Sequence, residues 1–196
     1  TDMPSSHTVE DIKKHRFILF VSTIESRKNH EILYRAYKSL IETGTKDLPL
    51  LVFVGMQGWG VEKLLSTLQS DAKIKPYIRI LNNVSDADLT NLYMNAMFRV
   101  FPSLYEGWGL PVAESLACGK FCLASTAASI PEVGGTLIEY IDPHDMARWA
   151  ERIKWYLDHK EDLILRENRI KNEYSPITWE SCSRSILDAA SEQVIG

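Results

Sequence analysis

The stretch FRVFPSLYEGWGLPVAESLACGKFCLAST, Phe98 to Thr126, decides the fold, because it reads as strand, loop, helix and strand in succession. Phe98 to Ser103 is a short apolar run of strand length, and Phe121 to Thr126 is a second. Between them, Pro111 suits the first position of a helix, since its missing N–H would have no intrahelical partner there. Val112 to Cys118 continue with good helix formers, and Gly119 supplies a stop. Gly107 to Leu110 then form a loop feeding a helix N-terminus, where free N–H groups attract an anion and the missing Cβ of each glycine lets it come close. Two carboxylates, Glu106 and Glu114, frame that loop. Glu114 in the first turn of a helix also favours the dipole with no ligand at all.

The same alternation continues on both sides. Strand-like runs at Phe17 to Ser22, Leu50 to Gly55, Tyr77 to Leu81 and Thr136 to Ile141 are separated by amphipathic segments at Asn29 to Thr43, Val61 to Ser70 and Asp86 to Asn95. Six strands with helical crossovers predict an α/β, Rossmann-like, doubly wound parallel sheet with helices on both faces. From Pro143 onward the pattern is helical only, at His144 to His159, Glu161 to Asn172 and Thr178 to Ser191. In such sheets ligands bind beyond the carboxyl ends of the strands, which is where the Glu106 loop lies.

Composition removes several alternatives. The chain has 196 residues, a formal charge of -4, 45% hydrophobic and 10% aromatic residues, so it can bury a sizeable core and its net charge gives no support for a nucleic-acid partner. Cys118, Cys122 and Cys182 make no even-numbered disulfide framework, and the histidines show no metal-ligand spacing beside them. Small buried hydrophobes is the reading of the cysteines. The longest apolar runs are too short to span a bilayer, and TDMPSSHTVEDIKKHRF lacks the apolar core of a signal peptide.

A second clue follows the first strand. In STIESRKNHEIL, Arg27 and Lys28 precede a helix for which Asn29 is a good N-cap. Two cations at the positive end of a helix oppose its dipole and want a compensating negative charge. Either a phosphate supplies it, or the side chains reach water or pair with Glu25 and Glu31. His30 and His144, at helix starts, read as capping or solvated groups. Trp108 reads as packing for its loop, and Trp149, Trp155 and Tyr156 read as core at helical spacing.

Taken together, STIESRKN (Ser22 to Asn29), VSDADLTNLYMNAMFRVFPSLYEGWGLPVAESLACGKFCLAS (Val84 to Ser125), IPEVGG, DPHD and TWE resemble the C-terminal nucleotide-sugar-binding domain of the retaining family 4 (group 1) glycosyltransferases, which have the two-domain GT-B architecture. Ser22 stands where relatives commonly have glycine, Thr23 where many have arginine, and Trp108 where phenylalanine is usual; Arg27 then has to supply the charge missing at Thr23. The resemblance implies that Arg27, Lys28 and Glu106 act in catalysis. The cations hold the donor diphosphate as the glycosidic bond breaks, and Glu106 accepts from sugar hydroxyls. Ser22, Thr23, Gly107, Gly109 and Leu110 border the donor, Glu114 accepts from ribose hydroxyls, and backbone around Asn83 and Val84 faces the base.

It further implies a GDP- or UDP-linked sugar, a mannosyl-like hexosyl transfer to a glycan or lipid-linked acceptor, no cofactor or metal, no nucleic acid, and a cytoplasmic enzyme able to associate peripherally with the inner face of a membrane. Residues 1–16 are expected to be a linker from an absent N-terminal acceptor domain, 17–177 the donor domain, and 178–196 a helix crossing back. On this expectation the chain alone is inactive. Two rivals remain: a glycosidase using Glu106 and Glu114, which has no use for the Arg27–Lys28 site, and a non-catalytic nucleotide-sugar or phosphate-binding module.

Overall fold

The computed structural model describes residues 6–176 and 183–184. A six-stranded, wholly parallel sheet forms from β1 (Phe17–Val21), β2 (Leu50–Val54), β3 (Ile78–Leu81), β4 (Arg99–Phe101), β5 (Cys122–Ser125) and β6 (Glu139–Ile141), in the order β3-β2-β1-β4-β5-β6. Covered on both faces, the central strands β1 and β2 are continuous apolar runs rather than alternating ones; β1 buries Phe17, Ile18, Leu19 and Phe20.

Helices α2 (His30–Glu42) and α3 (Glu62–Ser70) connect β1 to β2 to β3. Helices α4 (Asp86–Asn95) and α5 (Leu110–Ala117) carry the chain the other way, from β3 to β4 to β5. Right-handed crossovers running in opposite directions put the two sets on opposite faces. A short α6 (Ile130–Gly134) precedes β6, and α7 (Met146–Asp158) and α8 (Lys160–Glu173) follow it. The larger core cluster joins Ile18, Phe20 and Phe53 to Leu33 and Tyr37 of α2 and Trp149, Ile153 and Tyr156 of α7. The smaller one, on the other face, joins Phe17, Leu19, Val52 and Leu81 to Leu92 and Tyr93 of α4.

Several details differ from the reading of the sequence. Residues 6–13 form a helix, α1 (Ser6–Lys13), inside the stretch expected to be a linker. Its Val9 and Ile12 join the smaller cluster, and burying two such side chains is worth about 1.5–3 kcal/mol each. Trp149 and Tyr156 are fully buried as expected, but Trp155 is half-exposed, its indole stacked on His159 at 3.8 Å with the ring N–H donated to Asp162. Cys122 is buried and Cys118 partly so, both as free thiols. Cys182 and nearly all of the helix expected at Thr178 to Ser191 lie outside the described residues.

Candidate functional site

Strands β1 and β4 are neighbours in the sheet but not in sequence, so the loops that leave them diverge to opposite faces and leave a crevice between. The β1 loop carries Arg27 and Lys28 on a single 3-10 turn, Ser26–Lys28. The β4 loop carries Glu106. The two loops are tied directly: Leu104 N–H donates to Arg27 O at 2.9 Å, and Arg27 Nη1 donates to Tyr105 O at 2.8 Å.

The charge that Arg27 and Lys28 require comes chiefly from Glu106, 78 residues downstream of Lys28. Lys28 Nζ donates to Glu106 Oε1 at 2.5 Å, and Arg27 Nη1 to Oε2 at 3.1 Å. Of the local carboxylates, Glu25 does take part, accepting from Arg27 Nη2 at 2.7 Å, whereas Glu31 pairs with Arg35. Lys28 is only 9% exposed and Glu106 only 8%, so this is a buried ion pair with a third, more open member. The Lys28 ammonium also lies 5.7 Å from the Phe101 ring centroid. Burial alone would lower the Arg27 pKa, but Glu106 and Glu25 outweigh it and hold the guanidinium above its ordinary value. The cluster is therefore a preformed corner in which two cations are balanced by two carboxylates, with Glu106 gripped at both oxygens and Glu25 on Arg27.

Asn29 and His30 do something other than expected. Asn29 is the residue preceding α2, but its side chain makes no capping bond; at φ 60° it turns inward and donates to Pro102 O at 3.0 Å and Pro143 O at 2.8 Å. It thus clamps the ends of β4 and β6 against the β1 loop. His30 is neither a cap nor solvated. Phe20 and Phe53 enclose its ring at 4.4 and 4.8 Å, and burial, with the Lys28 charge as a lesser cause, lowers its pKa to about 3. It is a neutral floor beneath the site, its Nε2 3.5 Å from Ser22 Oγ.

The anion-attracting end of α5 is also present. Gly109 precedes Leu110 with φ 104°, a left-handed conformation that favours glycine, while a Cβ there would meet nothing closer than 3.8 Å; it is the backbone angle rather than space that requires glycine. Ser129, after β5, donates to the carbonyls of Glu106 and Trp108, both at 3.1 Å, and so fixes the loop between them. Gly107, Trp108 and Leu110 are exposed along this loop. Glu114 falls beyond the first turn of α5, so the simple helix-dipole explanation of its position loses force. It is exposed, and its Oε2 accepts from Tyr93 Oη of α4 at 2.7 Å.

On the far side, Thr23 is exposed beside the half-buried Ser22, and the β1 and β2 loops bridge at Ile24 and Gln57. Asn83 takes a positive φ of 54° in the turn after β3, followed by the half-buried Val84. The structure thus unites Arg27, Lys28 and Glu106 by direct contact, and sets Glu114 apart from them on α5. Among the described residues no group of three or more His, Cys, Asp or Glu side chains is arranged to hold a metal ion, and no helix is long and apolar enough to cross a membrane.

Comparison with known proteins adds four findings. The model of the family described as glycosyl transferases group 1 matches residues 2–175. O-antigen chain mannosyltransferase B of Escherichia coli is 31% identical over 173 residues, covering 88% of this chain and 45% of that protein. D-inositol 3-phosphate glycosyltransferase of Thermobifida fusca is 32% identical over 156 residues, covering 69% of this chain and 36% of that protein. Among solved structures, Anabaena HepE in complex with UDP-glucose has a TM-score of 0.78 at 15% identity, over 97% of this chain and 54% of that one, a likeness of fold. The chain spans about half the length, or less, of the relatives it matches.

Proposed function

The chain belongs to the group 1 glycosyl transferases, and from that premise we propose that it is the donor-binding half of a retaining, family 4 enzyme of GT-B architecture. The observation that carries the reading is the Lys28–Glu106–Arg27 cluster at the sheet's switch point, beside the open N-terminus of α5. A diphosphate entering the crevice meets two cations already desolvated or held in place, so little reorganisation is needed when charge builds on the leaving group. As the bond from the sugar's anomeric carbon to the diphosphate oxygen breaks, Lys28 and Arg27 stabilise the departing nucleoside diphosphate. An ionised carboxylate offers about four lone-pair sites, so Glu106 can keep both cations and still accept hydrogen bonds from sugar hydroxyls. The exposed Glu114 accepts from the ribose, N–H groups near Gly109 and Leu110 face phosphate or sugar, and Ser22, Thr23 and the Asn83–Val84 backbone complete the donor pocket.

The E. coli mannosyltransferase relative supports a mannosyl group as the one transferred, from a GDP- or UDP-linked donor to a glycan or lipid-linked acceptor. In this reading an N-terminal domain holds the acceptor, residues 1–16 join it to the donor domain at 17–177 with α1 as the docked end of the joint, and residues 178–196 cross back to it. Phosphate neutralisation is assigned to side chains, without a metal. The setting is cytoplasmic, at the inner face of a membrane when the acceptor is lipid-linked. Calorimetry with GDP and UDP, and with their mannose and glucose conjugates, tests this when paired with Lys28→Ala. Binding by the wild type and a clear loss in the variant is the expected result. Equal binding by both would move the phosphate site elsewhere, and binding without transfer to any acceptor by the protein joined to its acceptor domain would favour the non-catalytic module.

A further inference from the structure

Glu106 and Glu114 are held in opposite ways. Both oxygens of Glu106 face cations in a buried corner, whereas the Glu114 carboxylate is exposed and makes one hydrogen bond among the described residues, from Tyr93 Oη to Oε2 at 2.7 Å. Among the described residues nothing holds its other oxygen, Oε1, which is open to solvent or a ligand. An unrestrained glutamate would have to give up its rotamer freedom each time it ordered against a ligand.

Tyr93 is a rigid anchor for this purpose. It is 4% exposed and packs with Leu81, Leu92 and Ala96 between α4 and the sheet. The Arg99 guanidinium lies 4.6 Å from the Tyr93 ring centroid and donates to the Tyr93 carbonyl, so ring and backbone are gripped by one side chain of β4. Burial, then the Glu114 carboxylate, raises the phenol pKa, so the hydroxyl keeps its proton and acts as a donor. The packing is done by the ring. Among the described residues the hydroxyl's hydrogen-bond partner is Glu114, and a phenylalanine would fill the same core space.

We propose that Tyr93 is a positioning residue for nucleoside recognition: its hydroxyl fixes Oε2 of Glu114 so that Oε1 is presented, pre-oriented, to the ribose hydroxyls of the donor. The proposal rests on the reading of Glu114 as the ribose acceptor. It adds an element, α4, that neither carboxylate motif nor basic turn includes, and it makes ribose selectivity depend on a residue that touches no ligand.

The test is calorimetric, with GDP and UDP each measured beside its 2′-deoxy analogue on the wild type, Tyr93→Phe, Glu114→Ala and the double variant, with folding checked by circular dichroism. Tyr93→Phe should weaken the better-bound ribonucleotide about tenfold, the scale of one charge-assisted hydrogen bond and the order it confers. It should weaken the 2′-deoxy analogue less, so that the ratio between them narrows, and it should have no further effect once Glu114 is alanine. Three results overturn the proposal while leaving Glu114 its role: wild-type binding by Tyr93→Phe, an equal loss for ribo- and deoxyribonucleotide, or the same loss in the Glu114→Ala background. If Glu114→Ala itself binds both nucleotides as the wild type does, or if the wild type binds neither, the ribose reading falls and the proposal falls with it.

Discussion

Replacing Glu106 by glutamine should destabilise the protein yet leave a nucleoside diphosphate bound at least as tightly as before. The side chain keeps its shape and loses its charge, so the Lys28 ammonium, 9% exposed and 2.5 Å from Glu106 Oε1, is left buried without a counter-ion. Removing one partner of such a pair costs about 3–5 kcal/mol. Arg27 adds little to that sum: its side chain is 37% exposed, and it keeps Glu25 at 2.7 Å, so its share is that of a surface pair, about 0–1 kcal/mol. Glutamine still offers Lys28 a carbonyl oxygen, which puts the expected loss near the lower limit, about 3 kcal/mol. Urea unfolding near neutral pH reads that number, and calorimetry with GDP or UDP reads the second. The diphosphate now meets Lys28 with its carboxylate partner gone and Arg27 held by Glu25 alone, so its affinity should hold or rise while turnover with the sugar donor falls. A stability change under about 1 kcal/mol would refute the buried-pair argument, and loss of nucleotide binding would refute the separation between Glu106 and the nucleotide.

Other expectations follow from the same geometry. Lys28→Ala and Arg27→Ala should each lower turnover by more than they lower donor affinity, with about 2–4 kcal/mol of transition-state stabilisation lost; steady-state kinetics showing unchanged kcat in both would rule out leaving-group assistance from this turn. His30 has a folded pKa lowered to about 3 against an ordinary 6.5. The unfolded chain therefore takes up a proton that the folded one refuses, and this part of the stability is complete above the ordinary pKa and is lost as pH falls through the window between the two values. Against His30→Leu, the wild type should lose about 2 kcal/mol more between roughly pH 7 and pH 5, and parallel urea midpoints would contradict a buried neutral ring. Gly55→Ala should unfold the domain or cost more than about 2 kcal/mol, because the added Cβ would fall 1.9 Å from Ser22 O at a φ of 155°; a normal melting temperature would show that the β1 and β2 ends can separate.

The sheet could be read from the sequence because parallel strands buried on both faces, such as FILFV and LLVFV, leave uninterrupted apolar runs. α1 could not, since Val9 and Ile12 are the apolar contacts it contributes to the core and its other residues are mostly polar. α6, with five residues, is too short for a periodicity to show. At the site, the basic turn and the framing glutamates stood out by local chemistry, but their pairing did not. Local sequence offers Arg27 and Lys28 two nearby carboxylates, Glu25 and Glu31; the fold adds a third, Glu106, by setting β1 beside β4, a tertiary fact that outranks proximity along the chain. The same holds for His30, which sits at a helix start yet is enclosed by Phe20 and Phe53 from two different strands. Asn29 kept the position of a cap while its amide went to two carbonyls on distant strand ends. Tyr93 was not singled out in the sequence, because its hydroxyl's reach from α4 to α5 is a tertiary contact with no local signal.

The account's central claim is that the crevice between the β1 and β4 loops holds a nucleoside-diphosphate sugar in one orientation. A crystal structure of the protein soaked with GDP-mannose, and in parallel with UDP-glucose, tests it most directly. The account predicts a diphosphate within hydrogen-bonding distance of Lys28 Nζ and the Arg27 guanidinium, ribose hydroxyls on Glu114, the base against Asn83 and Val84, and the sugar against Glu106. Density for the nucleotide at another edge of the sheet, or in the crevice with the ribose on Glu106 and the diphosphate away from Lys28 and Arg27, would contradict it.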